Sequence, residues 1–176
     1  MTKKKDNIFK YILFAGAAFL VFKFFKGNAE AANASKSNIE SLIDSIINKY
    51  NDGKYLSNAN VKKYVDKIIK QESGYKNIVG SDGQSMGIMQ VIVPTAQWML
   101  NDNSITKDTL LNDIELNLTA GIKYFLYQLN RYTGSVNDAI MAYNLGTSPY
   151  QNPSVFSDAS AAKARADKYL QGVLSR

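Results

Sequence analysis

The chain holds no histidine and no cysteine. That removes imidazole acid/base chemistry, Ser–His triads, His–zinc sites, thiolate nucleophiles and disulfides. Proton transfer therefore falls to carboxylates, hydroxyls, amides or lysine. Among the 15 acidic residues, Glu72 has the most unusual setting. Val61, Val65 and Ile68 precede it by eleven, seven and four residues, which puts Glu72 on the same helix face as three core residues. An ionised Glu on a buried stripe is costly without a partner. A place near the helix C-terminus adds to that cost, because the dipole there opposes negative charge. Both effects favour the protonated carboxyl, the form a general acid needs near neutral pH. The plainer alternative is a Glu that turns into water at a frayed helix end. The segment after it favours the acid: a loop with Gly74, Gly80, Gly83 and Gly87, leading into Gly87-Ile88-Met89-Gln90.

The elements that must position this stretch are helical. Ile39, Leu42, Ile43, Ile46, Ile47 and Tyr50 follow helical spacing, with Asn38 available as a cap and Asn51-Asp52-Gly53 as a stop. Asn58 or Asn60 caps the helix that carries Glu72. Gly87–Val93 has the composition of a short strand. Pro94-Thr95 opens a helix through Trp98 and Leu100. The longest helix is predicted at Ile114–Tyr132, with the stripe Leu118, Ile122, Phe125, Leu126 and Leu129, closed by Gly134. Gly121 inside it lowers helix propensity, and close packing is its expected reason. A short helix uses Val136, Ala139, Ile140 and Tyr143. Asn144–Ser157 is predicted as a surface loop, and Ala159–Leu174 as a final Ala-rich helix. No repeat and no sustained alternation is present. The expected class is all-α, with at most a minor β element near residues 85–93.

The net charge is +6. Residues 1–34 carry six lysines against two acids, a net of +4, which leaves +2 for the rest. The body of the chain is thus near neutral, a poor footprint for nucleic acid. Ile8–Phe25 is apolar apart from Lys10 and Lys23 near its ends. Its length corresponds to about 27 Å of helix, close to the hydrocarbon core of a bilayer. Lys3, Lys4 and Lys5 predict a cytoplasmic N-terminus. The expected organisation is a single transmembrane anchor in 1–26, a linker in 27–38 and a soluble domain in 39–176. A cleaved signal peptide, with small residues at Ala29-Glu30-Ala31 or Ala32-Asn33-Ala34, is the alternative.

Four pieces in order then point to a family. They are Glu72-Ser73, Ser81 nine residues after the Glu, Gly87-Ile88-Met89-Gln90 with Gln90 eighteen residues after it, and Ala142-Tyr143-Asn144-Leu145-Gly146. This ordering resembles the soluble-lytic-transglycosylase type of lytic transglycosylase, which shares a goose-type lysozyme fold. Thr95-Ala96, the set Asn117, Gly121, Tyr124 and Leu126, and the final Tyr169-Leu170 and Val173-Leu174 match it further. Gln84-Ser85-Met86 departs from the small-residue run usual in the family, Ile88 stands for its Leu, and Pro94 lies one place later. Met86 is a candidate to reshape the cleft wall.

The resemblance implies a lysozyme-like fold. It also implies cleavage of the β-1,4 bond between N-acetylmuramic acid and N-acetylglucosamine in peptidoglycan, leaving 1,6-anhydromuramyl ends. Glu72 would be the single catalytic acid and base. Ser81, Met89, Gln90, Tyr143 and Asn144 would form the substrate-binding set. In that set Tyr143 is expected to aim its hydroxyl at Glu72, and Met89 to pack the cleft floor. Gln90 would hold sugar or loop backbone, and Asn144 would hold substrate or cap its turn. No cofactor and no metal is expected.

Two other readings stay open. One is a goose-type lysozyme that uses water, with Asp82 as base; the other is a membrane-tethered glycan-binding module without turnover. A catalytic domain outside the cytoplasmic membrane, on a linker reaching at most about 35 Å, suits local wall opening. Such a role belongs to a secretion apparatus or to a bacteriophage with a membrane in its virion. The lack of a separate targeting or wall-binding domain favours the virion.

Overall fold

The computed structural model describes residues 36–146 and 159–176. The chain divides into Met1–Ala34 and Ser35–Arg176, and every element below belongs to the second unit. The Ile8–Phe25 segment and most of the 144–157 loop lie outside the described residues. Among the described residues, no helix is long and apolar enough to cross a membrane.

Seven helices make up the described part: α1 Lys36–Tyr50, α2 Asn58–Glu72, α3 Val93–Leu100, α4 Lys107–Asn112, α5 Ile114–Arg131, α6 Val136–Leu145 and α7 Ala159–Leu174. The all-α expectation is met. Helix α1 starts at Lys36, so it absorbs the end of the expected linker and places Asn38 inside the helix instead of at its cap. Ile39, Ile43, Ile46 and Ile47 are its buried stripe. Helix α2 is capped by Ser57, whose hydroxyl accepts from the Asn60 backbone N–H at 3.4 Å, rather than by Asn58 or Asn60. The Asn58 amide reaches back to Asn48 instead, at 2.6 Å. Helix α6 runs to Leu145, so Asn144 is helical and not the first residue of a loop.

Helix α5 is the centre of the core. Ile114, Leu118, Ala120, Ile122, Phe125 and Leu129 are buried along it, and α1, α3, α4 and α6 pack around it. Leu126, expected in this stripe, is only half-buried. Gly134 ends the segment with φ +88, its N–H donating to the Leu129 carbonyl at 2.8 Å, a left-handed stop that needs no Cβ. Gly121 has a packing reason: a Cβ there would come within 2.7 Å of the Met89 Cβ. The helix is pared down at that turn so that the 86–90 loop can lie against it. Helix α7 packs on α6 and α2, through Ala162, Ala166, Tyr169, Leu170 and Val173.

The Gly87–Val93 segment is not a strand. Gly87 and Gln90 take left-handed φ values of +77 and +50, which break an extended run. The chain instead folds into a tight turn. Met86 and Val91 exchange both backbone hydrogen bonds at 3.0 Å, and two isolated antiparallel bridges, Val79 to Met86 and Met86 to Val91, are all the β structure among the described residues.

Candidate active site

The site is built where the C-terminus of α2 meets this turn. Glu72 is the last residue of α2. Ser73 caps it, and the Ser73 hydroxyl donates to the Ile88 carbonyl at 2.7 Å. Gly74 and Tyr75 then carry φ of +62 and +67, reversing the chain away from the helix. From α5, the fully buried Asn117 accepts from the Met89 N–H at 3.0 Å and donates to the Met86 carbonyl at 2.8 Å. From α6, the buried Tyr143 hydroxyl donates to the Met89 carbonyl at 2.9 Å. The 86–90 turn is thus pinned by the cap residue of α2 and by one side chain each from α5 and α6. A Cβ at Gly87 would overlap the Asn117 amide, so glycine is required there for space as well as for φ.

An open cleft of about 270 Å³ lies above this framework, lined by Glu72, Asp82, Ser85, Gln90, Tyr124 and Tyr143, among others. Burial pushes the Glu72 carboxyl up from 4.5 to about 7. A hydrogen bond from the Tyr169 hydroxyl and the positive charge of Arg165 pull the other way, and Asp82 adds to the rise. The direction is the one expected from the stripe and the helix end. At neutral pH the group is poised between acid and carboxylate, so it can give a proton and take one back. Burial raises the phenols of Tyr143 and Tyr169 well above their ordinary range, so both stay hydrogen-bond donors.

Several expected site residues need correction. Tyr143 does not aim its hydroxyl at Glu72; the ring lines the cleft and the hydroxyl holds the loop. Glu72 is instead bonded by Tyr169 of α7, at 2.5 Å to Oε1. Ser81 is exposed and lies outside the cleft lining, which takes Ser85 instead. Met89 is wholly buried against α5 and cannot touch a substrate, although packing under the cleft was the role foreseen for it. Met86 is buried too and forms no part of the wall. Gln90 lines the cleft, yet its amide donates to the Ile78 and Gly87 carbonyls at 3.0 and 2.7 Å, so its nitrogen serves the loop. Asn144 lines the cleft, its Oδ1 accepting from Arg165 Nε at 3.2 Å.

Tyr169, Arg165, Ser85, Thr95 and Tyr124 were not anticipated as site residues. The signal for Tyr169 was present, a polar-tipped ring on the buried Ala162–Ala166–Tyr169–Val173 stripe. Its partner lies 97 residues away in sequence, beyond what periodicity can pair. Among the described residues no group of acidic side chains could hold a metal ion.

Tyr169 offers a direct check of the electrostatics. Tyr169→Phe removes a donor that stabilises the carboxylate, so the Glu72 pKa should climb above about 7. The alkaline limb of the kcat/KM–pH profile is then expected to move to higher pH. An unmoved or lowered limb would show that the phenol does not act on Glu72.

A helical scaffold with one poised carboxyl in an open cleft has the makings of a lysozyme-like site. The family model of the Transglycosylase SLT domain matches residues 49–165, more than half of the chain. The chain belongs to this family, whose activity is that of a lytic transglycosylase, a glycosidic-bond lyase acting on peptidoglycan. No solved structure matches the chain.

Proposed function

We propose that the enzyme cleaves the β-1,4 bond between N-acetylmuramic acid and N-acetylglucosamine and closes the muramyl residue to a 1,6-anhydro end, with Glu72 as both acid and base. The observation that carries this reading is the single carboxyl with a pKa raised to about 7 in the cleft. Protonated Glu72 gives its proton to the glycosidic oxygen. The substrate's own N-acetyl carbonyl stabilises the anomeric carbon. The Glu72 carboxylate then takes the proton of the C6 hydroxyl as that oxygen closes on the anomeric carbon. Tyr169 steadies the carboxylate between the two steps, and Gln90 and Asn144 offer polar contacts to the sugars.

A water-using lysozyme would need a second carboxylate as base. Asp82 also lines the cleft. However, its Oδ1 accepts from the Gln84 and Ser85 N–H groups and its Oδ2 from the Ser85 hydroxyl. Those bonds hold its carboxyl down at about 2, which makes it a weak proton acceptor. Asp82→Asn can keep the turn and is expected to leave turnover within about threefold of wild type. Product mass spectrometry should show anhydromuramyl ends. Reducing ends, together with a loss on Asp82→Asn as deep as that on Glu72→Gln, would move the assignment to hydrolysis. A binding module without turnover has no use for a poised acid; wild-type binding without any cleavage would establish it.

We also propose that residues 8–25 tether this domain outside the cytoplasmic membrane for local wall opening, in a secretion apparatus or a membrane-containing virion. Recovery of full-length protein from detergent-extracted membranes of the native source supports that reading. A processed soluble species overturns the tether and leaves the chemistry standing.

A further inference from the structure

Among the described residues, Trp98 is the most exposed of the large hydrophobic side chains, at 55%. Nothing in the proposed chemistry uses it, and neither its helix position nor its size explains why an indole should face water. Its surroundings are built. The ring meets Tyr127 edge-on at 4.7 Å between centroids and Tyr124 at 6.5 Å. Tyr124 and Tyr127 lie nearly parallel, one helical turn apart on α5. Tyr124 in turn touches the Tyr143 ring at 5.4 Å, and both Tyr124 and Tyr143 line the cleft that holds Glu72. Ile92 and Thr95 also line that cleft. Thr95 stands three residues before Trp98 on α3, so these two share a face that leads from the cleft outward.

We propose that Trp98, held by Tyr124 and Tyr127, is a distal sugar subsite that takes an N-acetylhexosamine ring of the strand being cut, away from Glu72. The occupant follows from the chemistry and the continuity. A pyranose ring presents a face of C–H groups that packs on an aromatic plane, and a β-1,4 strand leaving the cleft past Thr95 and Tyr124 meets Trp98 next. An indole braced by two rings loses little freedom on binding. Because the subsite lies away from the bond that breaks, its contribution goes to strand binding, and the benefit is felt by long strands more than by short ones.

The proposal rests on the glycan-cleaving reading, and one measurement separates the two. Trp98 is the only tryptophan of the chain, so intrinsic emission reports this site alone. The full-length protein carrying Glu72→Gln is titrated with a long and a short β-1,4 N-acetylglucosamine oligosaccharide, with calorimetry in parallel. The expected result is a saturable emission change with the long oligosaccharide and a weaker one with the short. In the Glu72 enzyme, Trp98→Ala should raise KM on long glycan about tenfold with a much smaller change in kcat. Trp98→Phe should recover most of the loss. Calorimetric binding with unmoved emission and a wild-type KM for Trp98→Ala overturns the subsite while the cleft reading stands. Absence of binding by both methods, with no turnover by wild type, overturns the glycan reading and the subsite with it. An emission change with anionic lipid vesicles but not with sugar makes Trp98 a membrane contact and also overturns it.

Discussion

Glu72→Gln is expected to leave a folded protein whose turnover of peptidoglycan falls about a thousandfold or more, because one side chain serves both proton transfers. The same substitution is expected to stabilise the protein at alkaline pH. Burial raises the folded-state pKa from 4.5 to about 7. Between those values the folded protein holds a proton that the unfolded chain has released, so wild-type stability falls as pH rises through the window. The loss begins near 4.5 and is complete above about 7. A shift of that size corresponds to about 3 kcal/mol, as an upper figure for a part-buried group. Gln has no charge to desolvate and still accepts from Tyr169. Thermal unfolding of wild type and variant should therefore coincide near pH 4 and separate by several degrees at pH 8, the variant unfolding later. An inactive variant with no pH-dependent gain would mean that Glu72 is solvated in the folded state, and the poised-acid account would fail. Retained activity would remove Glu72 from the chemistry altogether.

The parts of this site legible in the sequence are those carried by helical periodicity and by fixed spacing along the chain. The Val61–Val65–Ile68–Glu72 stripe placed an acid on a buried face and the sign of its pKa shift followed. Gly121 inside a helix was read as close packing, and Met89 is the neighbour that requires it. The misreadings share a different cause. The family resemblance aims the Tyr143 hydroxyl at the acid, but two phenols compete for two acceptors across the cleft, and only three-dimensional packing decides which takes which. Ser81 and Ser85 are both small, polar and close to Asp82. The turn made by Asp82, with its carboxylate bound to the Gln84 and Ser85 N–H groups, turns Ser85 and not Ser81 toward the cleft. The apparent strand at Gly87–Val93 failed because a pattern of apolar residues does not show backbone handedness. Gly87 was the visible cue, whereas the positive φ of Gln90 was not.

Asn117 is expected to be intolerant of substitution. Its carboxamide is fully buried and serves three backbone groups at once: the Met89 N–H at 3.0 Å, the Met86 carbonyl at 2.8 Å and the Leu110 carbonyl at 3.3 Å. It therefore ties α4 and the 86–90 turn to α5, and Asp113, which accepts from Leu116 N–H at 2.9 Å, fixes the turn of helix from which it projects. Asn117→Ala leaves those backbone groups without their partner beside a small void. Unsatisfied buried polar groups cost about 1–3 kcal/mol each, and partial relaxation brings the expected total to about 3–5 kcal/mol. Ser73→Ala removes one bond to the same turn, from the half-buried helix cap, and should cost about 1 kcal/mol. Chemical denaturation measures both. Hydrogen exchange at the Met89 amide discriminates further, since it should accelerate in Asn117→Ala well beyond amides in the middle of α1. If Asn117→Ala lost no more stability than Ser73→Ala and the Met89 amide stayed protected, the turn would be held by Ser73, Gln90 and Tyr143 alone. The presence of Asn in the first turn of α5 would then need another explanation.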